Sequence, residues 1–240
     1  MKKLLNQSSI SKMSFVDKLL QKYQDKVQKS SSHPLTNELC NGTLPDYKLY
    51  TYLVQDLKFF QLGLKMLGSS LSHCDNAESS IVLAKQIGFF ANDENTYFQR
   101  CLAQLRAEAQ DQIHHHVPAM EKEFAPTLPQ VLQYLQFIAH LTHDALSYGE
   151  IITCVYVMEV VYLIWAELHS NSKDTVALEY KHQEWVDLHR GPAFSAWVQF
   201  LAGEVNRAAG TNLQEKMEQI FEKTLDHEIA FFDACYQYEE

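Results

Sequence analysis

Residues 151–166, IITCVYVMEVVYLIWA, carry one charge, Glu159, in sixteen positions. A helix that is apolar on every side must be enclosed, by lipid or by the rest of its own chain. Sixteen residues fall short of the roughly 20 that cross a bilayer, and a carboxylate at mid-helix is costly in hydrocarbon. The segments on either side repeat apolar residues at three and four, the period of helices with one wet face. The run therefore reads as the central helix of a bundle, and the membrane reading is rejected.

The rest of the chain supplies helices to surround it. Gly (8) and Pro (6) make up 14 of 240 residues, about 6% where ordinary usage is roughly 12%. That is too few turn formers for the many short strands of a sandwich or barrel, and no Val/Ile/Thr-rich alternating run occurs. Helices are expected at 14–29 and 43–70, with Pro45 in the first turn of the second and SSSHPLTN as the break between them. A third starts after Asp75-Asn76 and continues through Gly88 into a fourth that ends near Pro118. Others are expected at 127–143, 147–169, 174–189, 193–209 and 212–238, with Gly191-Pro192 and Gly210-Thr211-Asn212 as punctuation. Without repeats or a long linker, residues 14–240 read as a single all-α domain of roughly eight or nine helices. Residues 1–13 have neither the apolar core of a secretory signal nor an Arg, and read as a disordered tail.

Composition narrows the function classes. Thirty acidic against 20 basic residues, a net charge of -10, argues against nucleic acid or an anionic membrane as the main partner. Five cysteines without CxxC spacing read as reduced thiols of a cytoplasmic protein. His114-His115-His116 point about 100° apart on a helix and cannot share one ion. His140 and His143 can meet at i, i+3, but no matching acid accompanies them, so neither a metal nor another cofactor is expected. Phosphate-loop, GxSxG and HExxH motifs are absent.

What remains is a set of acids in apolar surroundings. An isolated buried charge is too costly to persist, so Glu159 must be paired, hydrogen-bonded or protonated. Tyr156, Glu159 and Tyr162 fall about 60° apart on one helix face. They either line a polar pocket or tie helices together. Cys154 lies about 140° round from Glu159 and is either a small core residue or a nucleophile on an opposite wall. Asp56, in YTYLVQDLKFF, sits mid-helix among aromatics, where Asp has poor propensity. Glu228, in LDHEIAFFDACY, has a similar setting. Each is either an ordinary acid on a wet face or a functional group.

Five segments, in order from about residue 33 to residue 236, resemble the TenA/thiaminase II family. HPLTNELCNGTLPDYKLYTYLVQD is similar to the family's opening "HP…dGtL…QD" signature, and IVLAKQIGFFANDENTYF to its "DE…F" helix. YGEIITCVYVMEVVYLIWAEL, EWVDLHRGPAF and HEIAFFDACY follow in the family's order. The resemblance implies a haem-oxygenase-like bundle without haem, a homodimer or homotetramer, and a small-molecule pyrimidine as ligand. It implies a C–N bond hydrolase of thiamin salvage that turns aminopyrimidine, or its N-formyl derivative, into hydroxymethylpyrimidine. Asp56 falls on the family's ring-binding aspartate, Glu228 on its proton-managing glutamate, and Cys154 on the nucleophile of its cysteine-type branch. Tyr52, Phe59, Tyr156, Tyr162 and His189 are the expected substrate-binding companions.

Several positions depart from the pattern. The cysteine-type branch has Trp and Tyr where Tyr156 and Met158 stand, and Tyr where Phe59 and His189 stand. ANDENTYF and VYVMEVVY instead resemble the glutamate-type plant and fungal branch, which has Glu at the position of Glu159 and lacks the cysteine. The glutamate-type reading is favoured, with Glu159 as a second catalytic acid. The alternative is a non-catalytic relative with an eroded pocket.

Overall fold

Helix α9 (Tyr148–Ser170) runs through the middle of the molecule in the computed structural model. The model describes residues 13–144, 147–170, 178–210 and 212–240. By length and composition Tyr148–Leu168 is apolar enough to cross a membrane, yet 67% of its most apolar window is buried inside the fold. Ile151, Ile152, Val155, Val157, Val161 and Trp165 are at most 2% exposed. Burying each such side chain contributes about 1.5–3 kcal/mol, which is how a helix with so few polar residues is kept from water.

Among the described residues there is no strand, and twelve α-helices surround or include this axis. They are α1 (Phe15–Lys22), α2 (Gln24–Ser31), α3 (Pro34–Asn41), α4 (Asp46–His73), α5 (Ala77–Phe89) and α6 (Asn95–Glu108), then α7 (Gln110–His116) and α8 (Pro129–Asp144) before α9. After it come α10 (Tyr180–Leu188), α11 (Gly191–Ala208) and α12 (Gln214–Gln237). A π-helical turn, Phe90–Glu94, joins α5 to α6, and a 3₁₀ turn, Pro118–Glu121, follows α7. Helices α11, α12, α4, α8, α3 and α2 all pack on α9.

Several boundaries differ from the periodicity reading. The break expected at SSSHPLTN contains α3. His33 Nδ1 accepts the Leu35 N–H at 3.1 Å, Pro34 occupies the first turn, and Gly42 closes the helix at φ +68°. These are cap and stop signals set only eight residues apart, too close for a period to show. His33 Nε2 also faces Asp233 on α12 at 3.1 Å, so the HP dipeptide has a structural role. The expected helix 14–29 is two pieces that meet at Tyr23. Helix α4 runs past Gly68-Ser69-Ser70 to His73, because Ser70 Oγ bonds back to the Met66 carbonyl at 3.0 Å and Ser69 Oγ anchors on Thr142 O at 3.0 Å. The expected helix start at residue 174 and the tail 1–12 lie outside the described residues.

Candidate active site

Helices α4, α6, α8, α9, α10 and α12, with the π turn, leave a cavity between them. Asp56, Phe59 and Phe60 reach it from α4, Phe90 and Glu94 from the π turn, and Phe98 from α6. Tyr134 comes from α8, and Val155, Met158, Glu159 and Tyr162 from α9. Trp185 and His189 close the α10 end, and Glu228 and Phe231 complete the wall from α12. The wall is aromatic with four carboxyl groups set into it, and it carries no Lys or Arg.

Each carboxyl is nearly or fully shielded from water, and burial is the first cause of its upward pKa shift. Asp56 is pushed up to about 8, opposed by the nearby Tyr52 hydroxyl. Glu228 is also pushed up to about 8, with Asp56 and Glu159 adding to the rise. Glu159 reaches about 7, eased by the Trp197 indole, whose N–H nonetheless has no partner in hydrogen-bond geometry. Glu94 lies well above the ordinary range, because Glu159, Asp56 and Asp93 reinforce the effect of burial. Asp56, Glu159 and Glu228 are therefore near the point of gaining or losing a proton at neutrality, the condition suited to acid–base work.

Glu228 is held most firmly. The Tyr134 hydroxyl donates to its Oε1 at 2.6 Å, while Oε2 has no hydrogen-bond partner. The Tyr134 ring is itself fixed between Phe59, 4.9 Å away, and His227, stacked at 4.9 Å and 5°. His189 donates through Nδ1 to Trp185 O at 2.8 Å, and burial holds its pKa down to about 4, so the ring is neutral and Nε2 is an acceptor.

Residues 18–238 match the profile of the TENA/THI-4/PQQC family. The chain belongs to that family. A search of curated protein sequences finds no match. Among solved structures, this TENA/THI-4/PQQC protein is similar to a TenA homologue from P. horikoshii OT3, with a TM-score of 0.77 at 18% identity over 94% of this chain and 99% of that one. It is also similar to a putative TenA-like thiaminase from Sulfolobus solfataricus P2 (TM-score 0.70, 15% identity, 93% and 96% covered). A TenA family transcription regulator from Silicibacter sp. TM1040 gives a TM-score of 0.72 at 11% identity, with 93% and 96% covered. At these identities the likeness shows the fold: all-α and TenA-like.

Of the nine residues singled out from the sequence, the TENA/THI-4/PQQC cavity gathers Asp56, Phe59, Glu159, Tyr162, His189 and Glu228 on its wall. Tyr52 stands one layer behind, with its hydroxyl 3.0 Å from that of Tyr162 and accepting the Trp185 indole N–H at 3.1 Å. Tyr156 is a correction: it is not on the wall, and its ring lies 6.4 Å from Phe221. The wall residues Val155, Met158, Glu159 and Tyr162 define a face of α9 from which Tyr156 is turned by about 110°. The 60° steps that linked Tyr156 to Glu159 run in the wrong direction to keep it there. Cys154 is likewise off the wall, and burial pushes its thiol up to about 12.

Glu94, Tyr134 and Trp185 had not been singled out. Glu94 has a legible signal, the acidic pair of ANDE directly behind Phe89 and Phe90, but the π turn that carries it breaks the 3.6 period. Tyr134 and Trp185 look like ordinary core aromatics in one dimension. Among the described residues no three His, Cys, Asp or Glu side chains converge as metal ligands. His140 pairs with Asp144 at 3.0 Å, not with His143.

Proposed function

We propose that the protein is a hydrolase of thiamin pyrimidine salvage that cleaves the exocyclic C–N bond of aminopyrimidine, by the glutamate-type route. The observation that carries this is Glu228, a buried acid with one oxygen fixed by Tyr134 and the other unpartnered in an aromatic cavity. Family membership and the thiaminase named among the similar structures support the substrate class.

In this reading the pyrimidine lies among Phe59, Tyr162 and Phe231. A neutral Asp56 carboxyl donates to a ring nitrogen and accepts from the adjacent 4-amino group, which matches the donor–acceptor edge of an aminopyrimidine. Glu228, as an acid, protonates the departing amine. The C–N bond breaks with its electron pair going to nitrogen, and ammonia leaves. Water adds to the carbon and gives its proton to the Glu228 carboxylate, which restores the acid. Glu159 is the second carboxylate, since two acids in unlike surroundings can divide acid and base duty. Cys154, with its thiol protonated and off the wall, is assigned to packing.

Purified protein should convert aminopyrimidine to hydroxymethylpyrimidine, read by chromatography, with the N-formyl derivative and thiamin run in parallel. Glu228→Gln and Glu159→Gln should each lower kcat by about a hundredfold, as expected for a lost acid–base group. Turnover surviving both changes would overturn the assignment. Activity lost in Cys154→Ser but kept in Glu159→Gln would move the protein to the cysteine-type route. A specific observation favours a second reading: Phe59, Met158 and His189, three of the four positions that depart from the pattern of the cysteine-type branch, are on the wall. Tight hydroxymethylpyrimidine binding without turnover of any of the three compounds would identify a binding protein. A homodimeric or homotetrameric state is part of the proposal and is tested by sedimentation.

A further inference from the structure

The chemistry above uses three of the four carboxyls on the wall and leaves Glu94 without a task. Glu94 is 4% exposed and sits at the end of the π turn, a feature rare in helices and frequent at functional sites. It takes no hydrogen bond from a described residue, and the charges that act on it are all acidic: Glu159, Asp56 and Asp93. On the same cavity wall, Oε2 of Glu228 is also buried without a partner. The wall holds no Lys or Arg, and His189 is neutral. Carboxyls in an aromatic cavity that receive no hydrogen bond from the protein are poorly compensated, and a positive ligand with several N–H groups supplies the missing donors. A primary ammonium has three donors and the opposite charge.

We infer that Glu94 is the counter-ion of the ammonium that the ligand's amine becomes when it takes its proton in the site, and so the residue that makes this site select an aromatic methylamine over the alcohol or amide of the same ring. The ring's identity rests on the proposed function; the preference for an ammonium rests on the wall. The residue is specificity-determining: from the cavity wall it gives an ammonium a charge-assisted hydrogen bond, whereas a neutral hydroxymethyl or formamide group gains only the weaker bond of an uncharged donor.

Benzylamine and benzyl alcohol, which share the ring shape of the ligand and lack the ring nitrogens and 4-amino group that Asp56 would hold, separate the two ideas. Titration calorimetry at neutral pH on the wild-type protein should find the amine bound about thirtyfold more tightly than the alcohol, the scale of one hydrogen bond to a charged group. In E94Q the gap should shrink to about threefold by loss of amine affinity, with the alcohol unchanged as the control for folding. E94D, which keeps the charge, should keep part of the preference, and it decides the matter if E94Q does not fold. A wild-type protein with no preference, or an E94Q or E94D protein in which the full gap and its absolute affinities persist, overturns the inference. Amine preference without turnover of any pyrimidine would overturn the proposed function and leave the inference standing. Aminopyrimidine hydrolysis with a preference indifferent to Glu94 would do the reverse.

Discussion

Tyr134 and Glu228 form one unit. The tyrosine hydroxyl satisfies Oε1 and lowers the pKa of the glutamate against the opposing effect of burial. Tyr134→Phe should therefore raise that pKa further and shift the alkaline limb of the kcat profile to higher pH, with a loss of about tenfold in kcat. A purely structural tyrosine would lower stability and leave the limb in place. Asp56 allows a sharper test of protonation state. If it pairs with the pyrimidine as a neutral acid, Asp56→Asn reproduces its donor and acceptor, and hydroxymethylpyrimidine affinity should stay within about threefold of wild type. Asp56→Leu leaves the ligand's edge unpaired and should cost about 2 kcal/mol in the same titration.

The faces of α9 divide labour at the scale of the element. Tyr162 is on the cavity wall and begins a chain of hydroxyls through Tyr52 to the Trp185 indole, whereas Tyr156 packs towards Phe221. Tyr162→Phe breaks that chain and should weaken ligand binding by about 1 kcal/mol, while Tyr156→Phe should leave KM within about twofold. Helix α3 depends on its stop. Gly42 holds φ +68°, and a Cβ there would meet Leu178 Cδ2 at 2.8 Å. Gly42→Ala should destabilise by about 1 kcal/mol, or about 3 °C in Tm for a chain of this length.

For the whole molecule, the buried acids couple stability to pH. Asp56 and Glu228 near 8 and Glu159 near 7 lie above their unfolded values of 3.8 and 4.5. The folded state therefore binds more protons than the unfolded one, and stability present at low pH is lost as pH rises towards 8. His189, held neutral at about 4, works in the opposite sense but only below 6.5. Between pH 6.5 and 8 the acids act alone, so Tm should fall steadily across that window. Each group contributes at most about 1.4 kcal/mol per pH unit. Glu228→Gln should flatten the slope and raise Tm at pH 8; an unchanged slope would mean that Glu228 titrates normally in the folded protein.

The sequence by itself determined the helical class, the central position of α9 and the suspicion that fell on Asp56, Glu159 and Glu228. Hydropathy, helical period and the cost of a buried charge are local properties, readable along one chain. Tertiary structure alone decided which acids share a cavity. Tyr134 is 94 residues from Glu228 in the chain and Trp185 is 133 from Tyr52, and these residues and Glu94 meet only because six helices and a π turn converge. It also decided which side of α9 faces that cavity, removing Tyr156 and Cys154 from the wall: an all-apolar helix carries no amphipathic signal to orient it.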